Sequence, residues 1–307
     1  MAAKKAQRAT PETTSLAGDG GILLVVLRGL GQVMFQRNAA TGGLFLAGMA
    51  MASPWLAAGA AVGAVIGPLV AAVLKLGQTD LEDGIYGYNS ALVGAAAAAL
   101  LPPTLITAAL AVIAAAAAAP LTWLLRRQLK FPTYTTAFVL ATWGMLLAAG
   151  ALGDRLPAAP AAPATVRPGW EGFVDEVFAG VGQVMFSSNG ISGLCFVAGI
   201  AIASWRHAVV GLLGAVLGTL GAIYHGDPAG PVALGIYGYN ASLAALAAYL
   251  ARPSLLTAKL AALASVPLVE FFPTTIGVPA LTAPFIMAAW IVLVLLAIDS
   301  AFSPRAA

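Results

Sequence analysis

The stretch GIYGYNSALV at residues 84–93 returns as GIYGYNASLA at residues 235–244, 151 positions later. Six identical residues in so unusual an order, set in very apolar sequence, point to duplication. Two further pairs follow the same order. GQVMFQRN at 31–38 returns as GQVMFSSN at 182–189, again offset by 151, and FPTYTTAF at 131–138 is echoed by VPALTAPF at 278–285, offset by 147. Three motifs recurring in one order define two copies of a single unit. The join is LGDRLPAAPAAPATVRPGW, residues 152–170, whose prolines and charges read as a connecting loop.

The chain has 307 residues, of which 60% are hydrophobic and 9% charged. A soluble domain carries about 25% charged residues, and one with this composition would expose apolar surface and aggregate. Alanine and glycine are abundant, as they are where membrane helices pack closely. The composition therefore predicts an all-α polytopic membrane protein. The net charge of +3 is small and its basic residues are scattered, which gives no support to nucleic-acid binding. Cys195 is the sole cysteine, so an intrachain disulfide and a cysteine-only metal site are excluded. His207 and His225 read as loop residues rather than a metal pair. No metal and no cofactor is expected. The polar stretch over residues 1–20 lacks the apolar core of a signal peptide and reads as a cytosolic tail.

Each half divides into six apolar segments: near 21–36, 40–53, 55–76, 86–101, 104–126 and 132–152, then near 172–187, 191–204, 208–224, 237–251, 254–271 and 279–300. A full crossing takes about 20 residues, so at least one segment per half is expected not to span. If the first segment of each half only enters the membrane, five crossings per half remain. With the N-terminus inside, Lys4, Lys5, Arg8, Lys75, Arg126, Arg127, Lys130, Arg206, Arg252 and Arg305 then fall on the cytosolic side. Only Arg155 and Arg167, in the linker, fall outside, in accord with the positive-inside rule. Six crossings per half would put Arg126, Arg127 and Lys130 outside. An odd number of crossings inverts one half against the other. The expected organisation is a cytosolic tail at 1–20, a first repeat at 21–152, a periplasmic linker at 153–170, an inverted second repeat at 171–301 and a cytosolic tail at 302–307. Inverted repeats are a transporter architecture with a site near the midplane.

Matched polar residues in the two halves are the candidates for that site. Gln32 and Phe35 are three apart, as on one helical face, and Gln183 and Phe186 repeat them. A buried glutamine without partners costs about 1–3 kcal/mol, so two of them read either as interhelical glue or as the ends of a polar path. Tyr88 and Leu92, matched by Tyr239 and Leu243, are four apart. Phe35 with Tyr88, and Phe186 with Tyr239, read either as flat aromatic slots or as ordinary core packing. Asn89 and Asn240 read as braces of a helix end. Thr135 and Thr282 each follow a proline by three residues, as at a broken helix whose freed carbonyls need partners. Such hydroxyls and carbonyls would replace the water of a small neutral solute that carries N–H donors. No acidic pair or histidine recurs in the motifs; Glu270, Asp299, Asp175 and Glu176 read as segment ends or loops. Proton- or sodium-coupled carriers usually carry such groups in the membrane, and ion channels usually carry charge rings or carbonyl loops. No nucleophile–base pair recurs either, so no enzyme is expected.

The doubled GQVMF and GIYGYN, with the two Pro-x-x-Thr-x-x-Phe segments, resemble the urea transporter family from about residue 20 to 300. The resemblance implies two inverted halves, each of five transmembrane helices plus one re-entrant half-helix. It implies a homotrimer with one pore per protomer in the lipid bilayer, and passive, channel-type passage of urea. Gln32 and Gln183 would sit at the two outer sites. Phe35 with Tyr88 and Phe186 with Tyr239 would form the slots, lined by Leu92 and Leu243. Thr135 and Thr282 would flank the narrow middle, and Val33 and Val184 would line the pore. The family's third motif is often Leu-Pro-x-x-Thr-x-Pro-Phe; Phe131 and Ala137 depart from it in the first copy. The alternatives are a coupled secondary transporter for a small amide, and an ammonia channel, which generally relies on pore histidines. The lack of extra domains suggests a bacterial inner-membrane protein with both termini cytoplasmic.

Overall fold

In a bilayer every backbone N–H and C=O must find its partner within the protein, which favours helices. The computed structural model describes residues 21–154, 169–272 and 278–302, and among them all regular structure is helical. The expected tail at 1–20, the expected tail at 302–307 except Phe302, which ends the last helix, most of the linker, and Arg155, Arg167 and Arg305 lie outside the described residues. The first half comprises α1 (Gly21–Gln32), α2 (Ala39–Ala52), α3 (Pro54–Val73), the short α4 (Gln78–Glu82), α5 (Tyr88–Leu100), α6 (Leu105–Gln128) and α7 (Thr136–Ala151). The second comprises α8 (Gly169–Gly182), a 3₁₀ turn at Gln183–Met185, α9 (Gly190–Ala203), α10 (Trp205–His225), α11 (Ala229–Ala233), α12 (Ile236–Ala251), α13 (Leu255–Phe271) and α14 (Ala283–Phe302).

Helix starts follow the small polar residues. Asn38 accepts from Thr41 N at 3.1 Å and Asn189 from Ser192 N at 2.8 Å. Ser53 and Ser204 cap α3 and α10 in the same way, each at 3.3 Å. Each cap satisfies a backbone donor and contributes about 1 kcal/mol. Ser204 corrects one sequence expectation. By capping at this point it places His207 in the first turn of α10, and that helix runs on until left-handed Gly226 (φ 79) ends it after His225. Both histidines are thus helical, not loop residues. Asp175 and Glu176 also lie inside a helix, α8, rather than at a segment end.

Four helices are long and apolar enough to cross a membrane alone: α3, α6, α10 and α14. A fifth candidate is the pair α8–α9, bent by 71°. This makes the chain a multi-pass membrane protein. Length alone recovers fewer spans than segment counting because helices such as α5 (13 residues) and α12 (16 residues) are short; these two are also shielded from lipid. Every residue of α5 from Tyr88 to Ala97 is buried, and so is every residue of α12 from Tyr237 to Ala248. A helix apolar all round belongs at the centre of an assembly, with α3 and α6 packed on α5, and α10 and α13 on α12.

The GIYG repeats are contact points as well as turns. Gly84 (φ +80) and Gly235 (φ +73) adopt the left-handed conformation that favours glycine. A Cβ on Gly87 would stand 3.2 Å from the Cα of Gly29 in α1, and one on Gly238 3.0 Å from the Cα of Gly180 in α8. Close backbone approach therefore ties the start of each central helix to the first helix of its half.

Contacts between the halves come in pairs with exchanged roles. Thr41 Oγ1 donates to Gly199 O and Ser192 Oγ donates to Gly48 O, both at 2.7 Å, and residues 41 and 48 correspond to 192 and 199 by the 151-residue offset. Between them the rings of Phe45 and Phe196 stack at 4.3 Å and 7°. The reversed order of these contacts makes α2 and α9 antiparallel. Their glycines admit the close approach, as small residues do between membrane helices.

Candidate pore site

The segments before α7 and α14 are irregular, as their prolines dictate, and they meet at their threonines. Thr135 Oγ1 and Thr282 Oγ1 lie 2.7 Å apart, both buried. Two indoles hold these segments across the halves. Trp143 Nε1 donates to Pro279 O and Trp290 Nε1 to Pro132 O, each at 2.9 Å. The carbonyls freed by the broken helices thus have partners from the opposite half. Tyr134 and Leu281, just before the threonines, have left-handed φ of 44° and 52°. That conformation costs non-glycine residues of order 1–3 kcal/mol and turns the chain sharply into each helix.

The tyrosines of the repeated hexapeptide brace the same turns. Tyr88 Oη donates to Tyr134 O and Tyr239 Oη to Leu281 O, each at 2.5 Å. Their hydroxyls need no pore water; Tyr134 O keeps a second lone pair, whereas Leu281 O also accepts from Asn240 Nδ2 at 3.4 Å. The asparagines beside them cap the helices from outside. Asn89 Oδ1 accepts from Phe138 N at 3.2 Å and Asn240 Oδ1 from Phe285 N at 3.0 Å. Bracing is the role the sequence suggested for both. Leu92 and Leu243 have no exposed area, and Val33 and Val184 are buried as well.

The glutamines and phenylalanines of GQVMF keep partial exposure, whereas the Val and Met between them are buried, in both copies alike. They are not joined as residues on one helix face. α1 ends at Gln32, and Phe35 is left-handed (φ 62); in the second copy the 3₁₀ turn ends at Phe186, also left-handed (φ 63). Each Phe instead donates its backbone N–H to the glutamine's carbonyl at 3.0 Å. Gln32 Nε2 donates to Asp83 O at 3.0 Å, and Gln183 Oε1 accepts from Ser188 Oγ. Each amide thus has one partner and spare capacity.

Phe35 and Phe186 have other ring neighbours than the sequence suggested. Phe35 meets Tyr134 at 5.9 Å and Phe285 at 6.2 Å, and Phe186 meets Phe138 at 6.5 Å. Among the described residues neither has Tyr88 or Tyr239 as a direct ring neighbour. Phe138 and Phe285 are the residues that sequence reasoning passed over. Each closes its Pro-x-x-Thr-x-x-Phe segment, so the third motif carried the signal. Each faces the GQVMF phenylalanine of the opposite half, and both are fully buried. A separate apolar cavity of about 470 Å³ lies away from this site, between α3, α5 and α6.

The arrangement offers hydroxyls, carbonyls and amides beside aromatic faces, with no acid or base among the matched residues. Comparison with known proteins gives a family match. The family model described as "Urea transporter" matches residues 23–297. Urea transporter 1 of Ovis aries and that of Capra hircus are each 27% identical over 235 residues, covering 72% of this chain. The same protein of Rattus norvegicus is 26% identical over 235 residues. The chain spans 61% of the length of these relatives.

Proposed function

The chain belongs to the urea transporter family, and we propose that it lets urea pass down its gradient through a pore within each protomer. The observation that carries this reading is the meeting of Thr135 and Thr282, one from each half, 2.7 Å apart between irregular segments. A solute entering between them exchanges water for two hydroxyls and the nearby carbonyls. Urea, planar and rich in N–H donors, makes those bonds and lays its faces against rings. A cation gains no fixed negative charge there.

The passage runs from Gln32 and Phe35 through the threonines to Gln183 and Phe186. Phe35 with Tyr88 and Leu92, and Phe186 with Tyr239 and Leu243, border its two ends, and Val33 and Val184 line it. In this reading the halves are inverted, each with five crossings and a re-entrant α1 or α8. The exchanged contacts of Thr41 with Gly199 and Ser192 with Gly48 support it, and so does the cytosolic bias of Lys and Arg. Both termini are cytoplasmic, and three copies form the homotrimer implied by the family resemblance. Native mass measurement in detergent should give three times the 30.8 kDa chain; a monomer removes the trimer but not the pore.

A coupled carrier would make the same family assignment by a different mechanism. Urea uptake into proteoliposomes separates the two. Passive conduction gives uptake that ignores sodium gradients, pH gradients and an uncoupler. Collapse of uptake on adding the uncoupler overturns the passive reading.

A further inference from the structure

The second half carries a group of metal-ligating side chains at positions where the first half has leucine and tryptophan. His225 ends α10, left-handed Gly226 turns the chain, and Asp227 follows. Glu270 stands one residue before the end of α13. His225 Nδ1 lies 3.5 Å from Glu270 Oε1. One ligand atom from each of His225, Asp227 and Glu270 falls within 4.8 Å of the other two. Asp227 Oδ2 is buried and has no hydrogen-bond partner. The 151- and 147-residue offsets put Leu74, Leu76 and Trp123 at the same places in the first half. There Leu76 and Trp123 pack on Val25, Leu81 and Tyr86 as a small apolar cluster. The first half has Leu and Trp at these three positions, with the Asp80–Arg126 ion pair close to Tyr86, whereas the second half places three ligands there.

We propose that His225, Asp227 and Glu270 bind one divalent transition-metal ion of the zinc class. An ion pair accounts for His225 with Glu270, and Tyr237 hydrogen-bonds the half-buried Asp227 carboxylate, but Asp227 Oδ2 is left without a hydrogen-bond partner, at a desolvation cost of the kind described for orphaned polar atoms. A metal ion satisfies all three at once. Ligands about 2.1 Å from tetrahedral zinc stand about 3.4 Å apart, close to the His225–Glu270 separation. Imidazole among the ligands favours zinc over calcium or magnesium, which prefer oxygen alone. Three protein ligands leave a fourth position for water. The ion would tie the α10–α11 turn, which leads to Tyr239, to the end of α13, which leads to Thr282. The site rests on no part of the transport reading.

The test is zinc titration of purified, tag-free protein, beside His225→Ala, Asp227→Asn and Glu270→Gln. The expected result is one zinc per chain, with each substitution weakening binding by about tenfold or more and magnesium failing to compete. Wild-type protein that takes up no zinc, or variants that bind it as wild type does, overturn the proposal. The zinc-edge X-ray absorption spectrum of the wild-type complex decides independently of any variant's folding. Imidazole with oxygen ligands supports the site. A sulfur ligand, which would be Cys195 or methionine, or an all-oxygen shell overturns it.

Discussion

Thr135 and Thr282 share a hydrogen bond of 2.7 Å between side-chain oxygens, although 147 residues separate them in the chain. One hydroxyl donates and the other accepts, so each keeps capacity for a guest. Replacing either by valine removes a partner from the other and an acceptor from the path. An unpaired buried polar group costs about 1–3 kcal/mol, and 1.4 kcal/mol is a factor of ten. Thr135→Val and Thr282→Val are each expected to lower urea flux at least about tenfold, with the protein still eluting as folded on size exclusion. Unchanged flux in both removes the oxygen partners from the account.

Trp143 and Trp290 hold the segments that carry those threonines through Pro279 O and Pro132 O. Trp143→Phe and Trp290→Phe keep an aromatic ring but are smaller and remove the indole N–H that Pro279 O or Pro132 O accepts from. Each is expected to lower the thermal unfolding midpoint, by a loss of about 1–2 kcal/mol, and to lower flux as well. A normal midpoint and normal flux in both would show that the indoles do not hold the segments.

Asn89 and Asn240 act on stability. Asn89→Ala strands the backbone N–H of Phe138 and removes the donor to Thr122 Oγ1 at 2.9 Å. The expected loss is about 2–3 kcal/mol, since buried partners are orphaned. Asn240→Ala is expected to follow it through Phe285 N. Thermal unfolding checks both; midpoints within a degree of wild type contradict the bracing role.

Gln32→Ala is expected to reduce flux less than the threonine substitutions. Its amide is partly exposed and water can replace it, whereas the threonines are buried. A larger loss at Gln32 than at Thr135 in the same flux measurement reverses the ordering.

Much of this was legible in the residues. Duplication with fixed offsets located equivalent positions, and those equivalences hold in space. Thr135 meets Thr282, and the Thr41–Gly199 bond has its counterpart in Ser192–Gly48. Asn89 braces a helix start because a buried amide beside a motif has few other uses. Spacing misled where the helix had already stopped. Gln32 and Phe35 are three apart, but Phe35 is left-handed, so helical periodicity does not apply to it. The partners of Phe35 and Phe186 were hidden for a different reason. Periodicity speaks of neighbours within one helix, and Phe285 and Phe138 come from the opposite half. Each histidine has polar residues on one side only, Ser204 and Arg206 before His207 and Asp227 after His225, which reads as a loop, while Ser204 capping and Gly226 termination are what bound α10.

Stopped-flow light scattering of proteoliposomes facing an inward urea gradient tests urea conduction most directly. The account predicts re-swelling much faster than in protein-free liposomes, falling toward that baseline when Thr135 and Thr282 are both valine. A wild-type rate equal to that of protein-free liposomes, with folded protein present in the membrane, contradicts it.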